Sequence, residues 1–172
     1  MTRTSQVRAV GIAAVLAACV WGWYAWRPGD ERAIRRQLDR LVDTVNEDLP
    51  EQATGVGSMA RAAQVGTFFT DDVVVDLGQG FAPMQGRETI IGLAARLPAG
   101  AASYTLRFDD VAVTVDPAAS VADVRLAATL TGRHEPAGER TVDARELQLA
   151  MRKMDSVWRI ARVAAVDALR RQ

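Results

Sequence analysis

The sequence predicts an α+β domain in which three helices cover one face of a curved antiparallel sheet, with one N-terminal membrane anchor ahead of it. Three observations carry that reading. Apolar residues recur with helical period through the first half of the chain, alternate with period two through the second half, and form an uncharged run at residues 9–26 that has no polar face. A length of 172 residues, 49% of them hydrophobic and 24% charged, suits one globular domain. Residues 1–27 are read as the anchor and residues 28–172 as the folded unit.

The anchor segment runs from Ala9 to Trp26, with Arg3 and Arg8 before it and Arg27-Pro28-Gly29 after it. As a helix it would be about 27 Å long, enough for the hydrocarbon core of a bilayer. Trp21, Trp23, Tyr24 and Trp26 crowd its far end, where amphipathic rings favour the headgroup layer. Arginines on the near side would stay in the cytoplasm, which predicts a single-pass protein of a bacterial inner membrane with its C-terminal domain in the periplasm. Two readings of the segment stand. One is an uncleaved signal anchor; the other is a lipoprotein signal, because Leu16-Ala17-Ala18-Cys19 resembles a lipobox with Cys19 as the lipidation candidate. Val20 to Trp26 continue the hydrophobic run where a lipoprotein would carry a polar tether.

Asp30 follows the Pro-Gly break as an N-cap or first-turn carboxylate, complementing the positive end of a helix dipole. Ile34, Leu38, Leu41, Val42, Val45 and Leu49 then fall on one face of a first helix. Leu49 to Ser58 contains Pro50, Gly55 and Gly57 and reads as a loop, and Ser58 to Phe69 as a second helix. Thr70-Asp71-Asp72 leads into a strand at Val73 to Leu77, and Gly78, Gly80 and Pro83 make a loop before a third helix at about Glu88 to Leu97. Four strands follow, at Ser103 to Val115, Ser120 to Arg133, Arg140 to Lys153 and Val157 to Val166. Short turns at Asp116-Pro117, Pro136-Ala137-Gly138 and Asp155-Ser156 predict an antiparallel meander. In the first of these strands the alternation of Tyr104, Leu106 and Phe108 loses phase at Asp109-Asp110 before Val111 resumes it, which predicts a β-bulge.

Charge and composition exclude several classes. Basic and acidic residues number 21 each, but three arginines precede residue 28 and every acidic residue follows it, so the folded part is weakly acidic. Such a surface is a poor match for a phosphate backbone, and no nucleic-acid partner is expected. One cysteine cannot close an internal disulfide, and one histidine cannot build a multi-histidine metal site. The chain has no phosphate loop, nucleophile elbow or dinucleotide fingerprint, so no cofactor is expected.

The order of elements, the helix ending Val45-Asn46, the step Phe68-Phe69-Thr70-Asp71-Asp72-Val73-Val74-Val75, the opening Gln85-Gly86-Arg87-Glu88 of the third helix and the closing Val157-Trp158-Arg159-Ile160-Ala161-Arg162-Val163 together resemble the nuclear transport factor 2-like superfamily, with its SnoaL-like and ketosteroid isomerase-like members. The resemblance covers nearly all of residues 30–170 and implies a cone-shaped, cystatin-like fold. It also implies pairing of two copies through the sheet face, hence a homodimer.

Ketosteroid isomerases use a base carboxylate on the first strand, a tyrosine on the first helix and a protonated aspartate on a later strand. With Asn46, Asp71-Asp72 and Thr141-Val142 as anchors, that pattern puts the tyrosine at Leu41, the base at Leu77 and the aspartate at Leu147. An apolar cone is therefore expected, lined by Leu41, Leu77, Phe81, Tyr104, Leu147 and Leu149. A register one residue different would instead turn Asp76 or Glu146 inward, because period two exchanges faces at each step. Asp76, Glu146 and Tyr104 are accordingly the catalytic candidates.

The remaining polar residues have plainer readings. His134 reads as an exposed hairpin residue, Asp109-Asp110 as a solvated bulge, and Trp158 as core. Asp123 with Arg125, and Asp143 with Arg145, read as cross-strand ion pairs on the exposed sheet face. The leading functional expectation is a membrane-tethered, extracytoplasmic module, not catalytic, that binds a small apolar ligand or serves in assembly. Its competitor is a small isomerase, dehydratase or hydrolase that uses a pocket carboxylate.

Overall fold

The computed structural model describes residues 29–47, 55–78, 81–96, 102–116, 118–134 and 139–166. The anchor run, the lipobox and Cys19 lie outside the described residues. Among the described residues no helix is long and apolar enough to cross a membrane.

The described part of helix α1 spans residues 29–46 and buries Ile34, Leu38 and Leu41, the stripe that its helical period marks. Asp30 lies in the first described turn of this helix. Its carboxylate accepts hydrogen bonds from Lys153 Nζ at 2.6 Å and from the indole N–H of Trp158 at 3.2 Å, tying the start of the helix to the last β-hairpin. Helix α2, Gly55–Gly66, begins ahead of Ser58 and takes in Gly55 and Gly57. Its last residue is a point of close approach: a Cβ on Gly66 would lie 2.6 Å from Ile91 Cγ1 on helix α3, Arg87–Arg96. Glu88 in the first turn and Arg96 in the last turn of α3 complement its dipole.

Strand β1, Phe69–Asp76, pairs with a two-residue strand β2, Met84–Gln85, too short for periodicity to reveal. Strands β3 (Ala102–Asp116), β4 (Val121–His134), β5 (Glu139–Met154) and β6 (Val157–Ala165) form the expected antiparallel meander. The sheet as a whole is mixed, in the order β2-β1-β6-β5-β4-β3. The expectation of a purely antiparallel sheet is corrected at one place, where β6 returns beside β1 and pairs with it in parallel. The connection from β1 through α3 crosses to the far edge, and three reversals bring the chain back in its original direction.

The bulge falls where the phase break puts it. Asp109 opposes Ala127 and Ala112 opposes Arg125, which leaves an extra residue on β3, and Asp110 takes a left-handed φ of 53°. The β5–β6 turn uses Asp155 and Ser156, both at positive φ, as a tight two-residue hairpin requires. Inside the curved sheet Val73, Val75, Val124, Leu126, Leu149, Met151, Ile160 and Val163 join Ile34, Leu38, Leu41, Phe68 and Ile90 in one core.

Edge strand β3 is tied to α1 by a side chain. Asn46 Nδ2 donates to the carbonyl of Leu106 at 2.8 Å, and Leu106 N–H donates to Asn46 Oδ1 at 2.7 Å. The primary amide thus completes the pairing of Leu106 on the side that has no neighbouring strand.

Candidate functional site

The register divides the helix-facing side of the sheet into rows. Val113, Val124, Leu149 and Val163 form a row within the closed core, and Leu126 and Leu147 form the next. Beyond them come Phe108, Ala128 and Arg145, then Leu106, Leu130 and Asp143, then Tyr104, Gly132 and Thr141. Burial falls from the core as far as the Leu130 row: Val124 is 0% exposed, Leu147 and Phe108 are partly buried, and Leu130 is 40% exposed, while in the last row Gly132 is buried beneath Tyr104. The inner face therefore passes from sealed core to solvent-accessible apolar surface, and Asp143 and Arg145 interrupt that surface.

Arg145 organises this end of the molecule. Its Nε donates to both carboxylate oxygens of Asp143 at 3.2 Å, two residues away on the same face of β5. Its Nη1 donates to the carbonyl of Leu77 at 2.7 Å, just past the end of β1, and its guanidinium carbon lies 5.0 Å from the centroid of the Phe81 ring. Phe81 is half exposed and belongs to the loop between β1 and β2. That loop has its own supports: Gly78 takes a φ of 76°, its N–H donates to Asp76 Oδ1 at 3.0 Å, and Phe81 N–H donates to Gly78 O at 3.2 Å. A planar cation with five donors suits such a junction, since it can hold a carboxylate, a carbonyl and an aromatic face at once.

The expected cone residues divide between core and rim. Leu41, 5% exposed, and Leu149, 3% exposed, belong to the closed core. Leu77 and Leu147 pack against that core at its border with the rim, and Phe81 stands over Arg145. Tyr104 is partly buried on the inner face with its ring against Gly132, where a Cβ would lie 3.1 Å from Tyr104 Cε1.

Asp76 and Glu146 occupy the opposite face. Asp76 opposes Ala164 while its neighbour Val75, buried, opposes Val163, and the Asp76 carboxylate is engaged with Gly78. Glu146, exposed, alternates with Leu147 and opposes Ala127. His134 ends β4.

Two ion-pair expectations change. Asp123 and Arg125 oppose Ala150 and Gln148, not charged residues. Together with Ala112, Thr114 and Gln148 they line a depression of about 410 Å3 on the outer face. Asp143 and Arg145 lie on the inner face and pair with each other along the strand, not across it. The signal for their placement is parity: Leu147, Leu149 and Met151 turn inward, so the odd-numbered residues before them do too.

A separate groove of about 480 Å3 runs beside α3 and is lined by Met84, Glu88, Thr89, Gly92, Leu93 and Arg96. Among the described residues no three His, Cys, Asp or Glu side chains are grouped to hold a metal ion.

Residues 29–164 match the sequence profile of the SnoaL-like domain. The chain belongs to that family. None of the curated proteins matches it. Among solved structures, an NTF2-like protein with a cystatin-like fold from Novosphingobium aromaticivorans superposes with a TM-score of 0.62 at 18% identity, over 90% of each chain. A candidate scytalone dehydratase from the same organism gives a TM-score of 0.66 at 14% identity, covering 81% of this chain and 84% of its own. A candidate aromatic ring hydroxylase, also from that organism, gives 0.64 at 19% identity, covering 82% and 90%. At these identities the likeness establishes the fold alone. A dehydratase name and a hydroxylase name on one SnoaL-like scaffold leave the activity to be argued from the site.

Proposed function

We propose that this SnoaL-like domain is a binding module that holds a small, largely apolar molecule at the rim of its curved sheet without transforming it. One observation carries the reading. The inner-face rows beyond the core are formed by Phe108, Ala128, Leu106 and Leu130, and their one carboxylate, Asp143, is engaged by Arg145. An apolar surface with few polar groups suits ligand burial, at about 25 cal/mol per Å2 of apolar area removed from water. Asp76 and Glu146, the carboxylates among the catalytic candidates, stand on the other face.

The same proposal places the domain outside the cytoplasm of a bacterial cell, attached to the inner membrane by the uncharged run from Ala9 to Trp26 as a signal anchor. Pairing of two copies through the outer sheet face belongs to it as well. A ligand that partitions into lipid would reach a site tethered at the membrane surface.

Native mass spectrometry of the full chain in lipid nanodiscs, repeated under denaturing conditions, tests the reading. A small-molecule mass that appears only in the native spectrum, and is absent from empty discs, is expected. Bare protein that also fails to take up an added apolar aromatic would overturn it.

A second reading, a small enzyme, draws on Tyr104 and Asp143 standing on the same inner face, one row apart on β3 and β5. Turnover of a bound molecule that Asp143→Asn abolishes without loss of binding would favour it.

A further inference from the structure

We propose that Arg145 is the polar anchor of the rim site and that Asp143 sets the charge of what Arg145 accepts, so that the preferred ligand is an apolar molecule bearing one uncharged oxygen acceptor. The inference deepens the binding reading above and rests on it.

The guanidinium has three nitrogens. Nε is held by Asp143 and Nη1 by the carbonyl of Leu77, which fixes the plane of the group; Nη2 is the nitrogen that no described residue takes. The Arg145 side chain is 32% exposed, and two of its three nitrogens are held by neighbouring groups. Around it stand Phe81 against the guanidinium and Ala128 and Phe108 in the same row. A fixed donor at the edge of an apolar surface selects for an acceptor attached to an apolar body, because an unpaired donor there would be left without water when the ligand covers it.

The neighbouring charge decides which acceptor. Asp143 brings its carboxylate to 3.2 Å from Nε, so the cation is already paired before a ligand arrives. A ligand carboxylate would meet a positive charge largely compensated and a second negative charge two residues away along β5, whereas a carbonyl or ether oxygen meets only the donor.

Three probes with one ring system separate the contributions: 2-ethylnaphthalene, 2-acetylnaphthalene and 2-naphthoate, measured by equilibrium dialysis against the full chain in lipid nanodiscs, with empty discs subtracting partition into lipid. The wild-type chain should bind the acetyl compound about tenfold more tightly than the ethyl compound, the gain of one hydrogen bond to a charged donor. It should bind the naphthoate no more tightly than the acetyl compound. Arg145→Met should bring the acetyl compound to the affinity that the ethyl compound has for the same variant. Asp143→Asn, which keeps Arg145 in place, should make the naphthoate the tightest of the three.

Equal binding of the acetyl and ethyl compounds by the wild-type chain, or an acetyl preference that survives Arg145→Met, would overturn the anchor. A naphthoate preference already present in the wild-type chain, or none in Asp143→Asn, would overturn the role given to Asp143. If the ethyl compound binds and only the preferences fail, the binding reading stands without this inference. If none of the three binds, both fall together.

Discussion

Asn46 and Leu106, sixty residues apart, exchange two hydrogen bonds, at 2.8 and 2.7 Å, between a helix-end amide and the backbone of an edge strand. The contact decides where α1 ends relative to β3, and so the position of the inner-face row that holds Leu106. Both polar groups of Leu106 would be orphaned by Asn46→Ala, at a cost of about 2 kcal/mol. Urea unfolding of the variant should show that loss with an unchanged slope. Asn46→Asp, which cannot donate to the Leu106 carbonyl, should lose part of it.

Asp30 has a comparable part at the other end of α1. The Trp158 side chain is buried, and its indole N–H has the Asp30 carboxylate as acceptor. Asp30→Ala should destabilise the fold by roughly 1–3 kcal/mol, because a buried donor loses its partner. Asp30→Asn, which retains an acceptor oxygen, should recover much of the loss in the same unfolding measurement.

The face assignment of β5 makes a contrasting pair of expectations. Leu149→Ala removes a side chain that is 3% exposed and should cost about 2–5 kcal/mol. Glu146→Ala, on the opposite and exposed face, should change stability by about 0.5 kcal/mol or less. Thermal or chemical unfolding of the two variants side by side checks the assignment. A reversed ranking would mean that the strand is one residue out of register.

Asp72 supplies a pH-dependent contribution of known sign. Its hydrogen bond to Arg152, at 2.6 Å, lowers its pKa from an ordinary 3.8 to about 2. A carboxylate whose pKa is depressed by folding stabilises the folded state above its unfolded pKa and loses that contribution as pH falls towards its folded one. The thermal midpoint of the wild-type chain should therefore exceed that of Asp72→Asn above pH 4. The gap should close between pH 4 and pH 2. Because the pair is exposed to solvent, 0.5 M salt should narrow the difference throughout.

The anchor proposal has its own test. In a bacterial host labelled with radioactive palmitate, Cys19→Ser should leave both the labelling and the apparent mass of the full chain unchanged, as an uncleaved signal anchor requires. Loss of label together with accumulation of a heavier precursor would establish the lipoprotein reading instead.

Much of the fold is legible in local pattern. Ala122, Val124 and Leu126 alternate with Asp123 and Arg125, so β4 declares its faces, and the phase break at Asp109-Asp110 announces the bulge. What local pattern does not carry is non-local pairing. The parallel match of Val75 with Val163 depends on a crossover and three reversals, and the two residues of β2 have no period at all. Asp30 shows a related gap, since a helix-start carboxylate looks like a cap whether or not a tryptophan lies across from it.

The rim site is less legible in the sequence for a different reason. Asp143 and Arg145 are charged, and charged residues in a strand ordinarily face water, so residue type points one way and parity from Leu147 and Leu149 points the other. Parity prevails because a strand cannot turn a single residue pair to the other face without a bulge, and the β4–β5 register is unbroken from Val121 to His134. The charges are tolerated on this face because they lie where it is open to solvent, the Asp143 side chain being 50% exposed.

The central claim, an apolar ligand held on the rim rows, is tested most directly by filling the site. Ala128→Trp places a large side chain between Phe108 and Arg145, beyond the closed core. Binding of 2-ethylnaphthalene to the full chain in nanodiscs should fall at least about tenfold in this variant, a loss of roughly 1.4 kcal/mol, while the thermal midpoint stays near that of the wild-type chain. Undiminished binding by the filled variant would place the ligand elsewhere and contradict the account.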